Sequence, residues 1–149
     1  MEGAICLRIR IIGICFILVF LLVGCSKLGE PEITSIKLVC EDLCSDDQEN
    51  PEAPFIERTF EDTAQLRIFE RAMDKAEKMI GDIDYGVYFR MYVSYEDGSQ
   101  KEYVLNISSS EKEGITGSLV GTADSGQGYT IPEAQHNELR TLIYDKKSF

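Results

Sequence analysis

The residue with the clearest chemistry in this sequence is Cys25, which directly follows Leu22, Val23 and Gly24. A thiol after two apolar residues and a small one resembles the lipobox, the site at which bacterial envelope proteins are lipidated. There the sulfur receives a diacylglyceryl group, and cleavage then makes the cysteine the first residue. We therefore expect Cys25 to be lipidated and residues 1–24 to be removed as a signal peptide.

The residues before Cys25 have the composition of a signal peptide. Arg8 and Arg10 precede an apolar stretch that runs from Ile11 to Gly24. At about 14 residues, the stretch fits a signal-peptide core and falls short of the roughly 20 residues that span a bilayer. The alternative is an uncleaved membrane helix that begins further upstream. Such a helix would place both arginines inside the span, which costs several kcal/mol.

Lipidation of Cys25 would decide where the protein works. Two or three long acyl chains on one sulfur make a durable anchor, whereas one short chain binds a membrane only reversibly. The expected organisation is a lipidated cysteine with a short tether over 25–32 and one extracytoplasmic domain over 33–149. The lipid anchor then holds the domain on the outer side of the cell membrane.

Two further cysteines, Cys40 and Cys44, are candidates for a disulfide. Disulfides persist outside the cytosol, and Cys6 and Cys15 would leave with the leader. In an extended chain the Cα atoms of Cys40 and Cys44 would lie about 13 Å apart, and a disulfide needs about 4.4–6.8 Å. The bond therefore requires a turn at residues 41–43. Two free thiols or a metal site are the alternatives, and two thiolates without further ligands are weak evidence for zinc.

The charge balance excludes one class of partner. The chain has 15 basic and 26 acidic residues, a formal net charge of −11. Nucleic acid is not expected as a partner because binding to phosphates needs a basic patch. The acidic segment 41–50 lacks the spacing and central glycine of an EF-hand loop, so a solvated loop is the simpler interpretation. A calcium-responsive module stays open as an alternative.

The hydrophobic pattern predicts an α+β fold with the order β-β-α-β-β-β-β-α. A mainly antiparallel sheet with both helices on one face is the natural two-layer solution. The predicted strands are 33–40, 55–60, 85–95, 101–108, 115–121 and 129–131, and the predicted helices are 63–80 and a last one that ends near Tyr144.

Both predicted helices have start signals. Asp62 or Thr63 can cap the first helix, whose apolar residues recur at three and four positions, and Gly81 would end it. Its apolar stripe is Leu66, Phe69, Ala72, Met73, Ala76, Met79 and Ile80. Residues 130–133, Thr-Ile-Pro-Glu, match a capping box with an early proline, which predicts the start of the second helix.

The turn between the third and fourth strands predicts their register. A two-residue turn at Asp97 and Gly98 would put the apolar faces of the two strands on opposite sides of the sheet. A three-residue loop over 96–98 pairs Phe89 with Leu105 and Met91 with Tyr103, which puts both apolar faces on one side. That loop also gives Gly98 the left-handed position that such loops require.

The second face of this hairpin carries Tyr88, Arg90 and Tyr92, with Glu102 across from them. If both helices cover the other face, this face is open to solvent. Tyrosine and arginine are enriched at recognition surfaces, so these four residues are candidates for binding an envelope protein. Ordinary cross-strand packing explains the same residues equally well. We expect a monomer.

No motif predicts catalysis, a cofactor or a metal. His136 is the only histidine, and we expect it on the solvent-facing side of the last helix. No serine has the flanking pattern of a nucleophile elbow or an obvious base. A hydrolase or envelope-enzyme accessory that uses carboxylates alone remains an alternative. It would need a concave pocket with two buried carboxylates of raised pKa.

Several short segments resemble the YhfM-like family of small lipoproteins from Bacillus-like Gram-positive bacteria. Besides the lipobox, the resemblance rests on segments within residues 33–144. These are Ile33–Ile36, the helix over 63–80, Asp84–Tyr85, Tyr95–Gly98, Tyr103–Ile107, Gly117–Val120 and Tyr129–Pro132. The resemblance implies surface anchoring and no catalytic residues. Together with the residues above, it leads us to expect a non-enzymatic, lipid-anchored domain that binds a partner or senses the envelope.

Overall fold

Seven β-strands and two α-helices make up the described part of the chain. A computed structural model describes residues 31–41, 44, 55–80, 86–124 and 126–145, all within one compact unit, Pro31–Phe149. The strands are β1 (Ile33–Cys40), β2 (Glu57–Phe60), β3 (Glu77–Lys78), β4 (Phe89–Tyr95), β5 (Gln100–Asn106), β6 (Gly117–Gly121) and β7 (Gly128–Ile131); the helices are α1 (Thr63–Lys75) and α2 (Glu133–Tyr144).

All seven strands form one sheet in the order β2-β1-β4-β5-β6-β7-β3. Every pair of neighbours is antiparallel. Strands β4 to β7 follow one another as a meander, and β1 and β2 extend the sheet on one side. The predicted α+β class with a mainly antiparallel sheet is confirmed.

The β4–β5 hairpin has the register that the sequence predicts. Phe89 pairs with Leu105 and Met91 pairs with Tyr103. Gly98 has a φ of 80°, the left-handed conformation that the three-residue loop requires. The hairpin therefore turns one apolar face, which includes Phe89 and Met91, toward the helices.

Both helices contribute to the same hydrophobic core as one face of the sheet. Leu66, Phe69 and Ala72 of α1 are buried, and so are Leu139 and other residues of α2. They join alternate residues of β1, β4 and β5 in one cluster. Ring contacts such as that between Phe60 and Phe69, with centroids 5.1 Å apart, add aromatic packing. The molecule thus has two layers, with helices on one face.

Helix α1 begins as predicted but ends five residues earlier than the predicted Ile80. The Asp62 carboxylate caps it by accepting hydrogen bonds from the backbone N–H groups of Ala64 (3.0 Å) and Gln65 (3.1 Å). Ala76 is extended, and residues 77–78 then pair with β7 as strand β3. Pairing at the sheet edge therefore prevails over the helical spacing, and the Ile80 side chain is exposed.

Helix α2 lacks the predicted capping box. Thr130 belongs to β7, the N-cap residue is Pro132, and no side chain caps the helix. The Glu133 carboxylate instead accepts a hydrogen bond from the backbone N–H of Gly114 at 2.8 Å. The box fails because β7 keeps Thr130 in the sheet, and Glu133 fixes a distant loop rather than its own helix start.

Several predicted strands are longer than the observed ones. Residues 55–56, 86–88, 107–108 and 115–116 lie outside the strands. Pairing partners set these ends, because a strand stops where its neighbour stops, and periodicity along one segment does not contain that information.

Candidate binding surfaces

A charged and aromatic cluster lies on the sheet face opposite the helices, which we call the outer face. It consists of Lys37 on β1, Glu41 just after β1, Arg90 and Tyr92 on β4, and Glu102 on β5, and we call it the outer cluster. Tyr92 is opposite Lys37 on one neighbouring strand and Glu102 on the other. Alternation along β4 places Tyr92 away from the buried Met91 and Val93.

Arg90 holds the outer cluster together. Its Nε donates to the Glu41 carboxylate at 3.0 Å, and a terminal nitrogen donates to the Glu102 carboxylate at 2.7 Å. The hydrogen bonds to Glu102 and then to Glu41 raise the pKa of the Arg90 guanidinium above its usual value. The predicted recognition arginine is thus neutralised by two carboxylates of its own sheet, which leaves little of its charge for a partner.

The second contact in the outer cluster involves Tyr92. The Lys37 ammonium lies 5.3 Å from the centroid of the Tyr92 ring, a cation–π arrangement. Both side chains are partly exposed. Tyr92 is therefore packed by its cross-strand neighbour, as the simpler interpretation of the sequence expects.

Tyr88 does not join the outer cluster. It lies at a bend just before β4, where the strand alternation has not begun, and it packs against the hydrophobic core. Its backbone N–H donates to the Asn106 side-chain oxygen at 2.9 Å. Nor is the outer face open throughout, since Val104 and Val120 are buried. The four candidate residues therefore do not form one exposed surface.

The structure joins Cys40 and Cys44 in a disulfide, with Cα atoms 5.5 Å apart. The Cys44 N–H donates to the Glu41 carbonyl at 3.0 Å. Cys44 is fully buried against the core. Because Glu41 lies inside this small loop, the disulfide also fixes the backbone of the residue that accepts from Arg90.

A concave site lies on the helix side of the sheet, beyond the part that the helices cover. We call it the recess; its volume is about 450 Å³, a size typical of small-ligand pockets. It is lined by Gln100, Lys101, Glu102, Tyr103, Gly121, Thr122, Ala123, Gln127 and Tyr129. These residues come from β5, β6, β7 and the turn between β6 and β7.

Gly121 lines the recess without contributing a side chain to it. Gly121 pairs with Tyr103 across the β5–β6 ladder, and a Cβ at position 121 would lie 3.8 Å from the Tyr103 ring. Tyr129 is diagonal to Gly121 on β7, and 37% of it is exposed. Tyr103 and Tyr129 therefore flank Gly121 on the helix-facing side of the sheet. Neighbouring positions on that side are occupied by core residues.

The polar groups around the recess are held in place by hydrogen bonds. The Gln127 amide donates to the Gly128 carbonyl at 2.8 Å, and the Thr122 hydroxyl donates to the Glu102 carbonyl at 3.1 Å. The Lys101 ammonium lies 5.2 Å from the centroid of the Tyr95 ring. These contacts fix the walls before a ligand arrives, which lowers the entropy cost of binding.

The expected surface position of His136 is wrong. His136 is fully buried in α2, and its Nε2 lies 3.5 Å from the Ser108 hydroxyl. Desolvation by burial is the main cause that lowers its pKa, and the nearby Arg140 charge acts in the same direction. A hydrogen bond with Asn137 and the Glu133 charge oppose the shift. His136 therefore lies in the protein interior rather than on the solvent-facing side of α2.

The metal and carboxylate-enzyme alternatives both depend on how acidic side chains are grouped. Among them, no three histidine, cysteine, aspartate or glutamate side chains group as metal ligands do. Glu102 is the one carboxylate lining the recess within the described part of the chain, and Arg90 holds its side chain. The loop at 41–50 is described only at residues 41 and 44, so the calcium alternative lies largely outside the described residues.

The predicted lipidation site, Cys25, also lies outside the described residues, and so does the leader over 1–24. Within the part of the chain that is described, the structure contains no helix long and apolar enough to cross a bilayer.

The sequence prediction identified Arg90, Tyr92 and Glu102 of the outer cluster by residue type, but it missed Lys37, Glu41 and the recess. The usable signal was Gly121, which with Gly117 and Leu119 holds an inward-facing position of β6. A glycine inside a strand often marks a place where another group approaches closely.

Comparison with known proteins gives one match. A family model described as YhfM protein matches residues 43–148, which is more than half of the chain. Searches of the curated proteins and of the solved structures each returned no match.

Proposed function

This chain belongs to the YhfM family, and we propose that it is a lipid-anchored domain on the outer side of the cell membrane that binds a ligand without catalysis. The lipid is attached to Cys25 after residues 1–24 are removed. The domain over 33–149 then stays close to the bilayer surface, because the tether over 25–32 can reach at most about 25 Å.

The sequence around Cys25 supports the anchor. The basic start, the apolar stretch and the Leu-Val-Gly-Cys run over 22–25 occur in the order that lipidation requires. The disulfide between Cys40 and Cys44 fits an oxidising compartment, because cytosolic thiols are kept reduced.

The recess is the observation that carries the binding role. It combines a small-ligand volume with aromatic walls and fixed polar groups, whereas the outer cluster uses its charges internally. We therefore assign the recess, rather than the surface around Arg90 and Tyr92, as the ligand site. The absence of a nucleophile paired with a base on the described walls of the recess favours binding over catalysis.

The anchor is tested with Cys25→Ser, with Cys15→Ser as the matched control. Cells expressing wild type should carry the protein in the membrane fraction, and mass spectrometry should find an acylated Cys25 as its first residue. Cys25→Ser should lose the acyl mass and mature processing, while Cys15→Ser should behave as wild type. A wild-type protein that still begins at Met1, or a Cys25→Ser protein that matures normally, would contradict the proposal.

A further inference from the structure

We propose that the recess binds a saccharide of one or two rings, held by its apolar ring face against Tyr103 and Tyr129 and by its oxygens against Gln127 and Lys101. This inference names the ligand class of the proposed binding function and rests on it. The ligand would occupy the recess itself, the cavity of about 450 Å³ over β5, β6 and β7.

The geometry of the gap selects a flat, ring-shaped ligand. Adjacent strands lie about 4.8 Å apart, so the backbones of β5 and β7 are separated by roughly 10 Å on either side of β6. The β6–β7 ladder ends with Val120 opposite Gly128, and its next position would place Gln127 beside Gly121. The recess therefore lies between Tyr103, whose ring is 3.8 Å from a Cβ placed at position 121, and Gln127 with Tyr129.

The chemistry of the walls selects a saccharide among flat ligands. A pyranose has C–H groups on its ring faces and hydroxyl groups along its edge. Tyrosine offers a large apolar ring that costs little conformational entropy to fix, which suits the ring faces. An amide both donates and accepts, and the Lys101 ammonium donates, so Gln127 and Lys101 suit the hydroxyl, acyl or carboxylate oxygens at the edge.

Other ligand classes fit less well. An extended peptide binds by adding a strand to an open sheet edge, but the recess lies over β5, β6 and β7, and β3 already pairs with β7. A nucleotide would need more cationic groups for its phosphates than Lys101, the one basic residue among those that line the recess. A purely apolar ligand would form no hydrogen bonds with the polar groups of Gln127 and Lys101.

The test uses the full-length protein, purified in a detergent without a sugar headgroup, and isothermal titration with cellobiose, maltose and N,N′-diacetylchitobiose. We expect at least one of these probes to bind with a Kd of about 0.1–1 mM. The chain has no tryptophan, so a change in tyrosine emission gives a second readout of binding, and its loss in Tyr129→Phe and Tyr129→Ala would assign it to the recess.

Substitutions at two positions, Tyr129 and Gly121, test the lining of the recess. Tyr129→Ala should weaken binding about tenfold or more, while Tyr129→Phe should stay within about threefold of wild type because it keeps the ring. Gly121→Val should abolish binding by filling the gap. Gly121→Ala is its matched control, because a Cβ at 121 meets Tyr103 only at ordinary contact distance and should weaken binding less.

Ile56→Ala controls for the loss of an exposed apolar side chain elsewhere, since Ile56 is 85% exposed and lies outside the recess. It should bind as wild type, and thermal melts should show that every variant is folded. The inference is overturned if no probe binds wild type at about 10 mM, or if Tyr129→Ala and Gly121→Val bind as wild type does. Failure to bind with intact lipidation at Cys25 would overturn the saccharide alone and leave the anchor standing.

Discussion

The outer cluster and the recess use consecutive residues of the same strand in opposite ways. Glu102, although it also lines the recess, is held by Arg90 in the outer cluster, whereas Lys101 and Tyr103 hold helix-facing positions and line the recess alone. In the outer cluster every strong charge described has an opposite charge beside it. In the recess a missing side chain at Gly121 leaves room between aromatic walls. Unfilled space with fixed walls, rather than the presence of tyrosine and arginine, distinguishes the candidate ligand site.

The largest effect should come from removing the disulfide that fixes Glu41. The double substitution Cys40→Ala/Cys44→Ala should lower the free energy of unfolding by about 2 kcal/mol, since a small closed loop constrains the unfolded chain by roughly that amount. Urea denaturation measures the change, and wild type treated with a reductant under the same conditions should reproduce it. Recess binding should survive. Equal stability of the oxidised and reduced proteins would contradict this expectation.

Arg90→Met should have the next largest effect. It leaves the Glu41 and Glu102 carboxylates close together without their shared donor, which should cost about 1–2 kcal/mol of unfolding free energy. Arg71→Met is the matched control, because Arg71 pairs with Glu138 at 2.7 Å on an exposed helix surface. That substitution should cost about 0.5 kcal/mol or less. Equal losses in the two variants would show that the outer cluster is an ordinary surface ion pair.

The pH dependence of stability should come partly from His136, which belongs to neither region. Burial lowers its folded pKa below the ordinary value of 6.5. Below pH 6.5 the unfolded chain therefore binds a proton that the folded protein excludes, and the free energy of unfolding falls as pH falls. Denaturation between about pH 7.5 and pH 5.5 should show a shallower decline for His136→Gln than for wild type. Parallel slopes would mean that other groups dominate.

The smallest expected change in stability comes from Tyr92→Ala, and its comparison with Tyr129→Ala distinguishes the outer cluster from the recess. Tyr92→Ala removes one cation–π contact with Lys37 and should cost about 0.5–1 kcal/mol of stability. It should leave saccharide binding unchanged, and Tyr129→Ala should show the opposite pattern, with binding lost and stability nearly kept. Titration and urea denaturation of both variants provide the measurement. Loss of binding in Tyr92→Ala would move the ligand site to the outer face.

Local patterns predict much of this fold. The hairpin register follows from alternation and from Gly98, and the cap at Asp62 follows from one side chain beside a helical stripe. Errors occur where a distant partner decides. Helix α1 stops at Lys75 because β7 recruits residues 77–78, and Thr130 stays in the sheet rather than capping α2.

The candidate sites show the same limit. Residue types alone place Arg90, Tyr92 and Glu102 together, but they do not reveal that Glu41 completes the neutralisation of Arg90. His136 is predicted at the surface because its neighbours in α2 are polar, yet the segment around Ser108 covers it. The recess forms only where β5, β6 and β7 lie side by side, so the pattern of any one sequence segment does not predict it.

The two edge strands of the sheet, β3 and β2, affect whether neighbouring molecules can associate. An uncovered strand edge offers unpaired N–H and C=O groups on which a second molecule can add a strand, and this is a common start of aggregation. Here one edge, β3, is only two residues long, Glu77–Lys78, and both are charged. The other, β2, spans four residues and carries Glu57 and Arg58. Short, charged edges of this kind disfavour strand addition between neighbouring molecules.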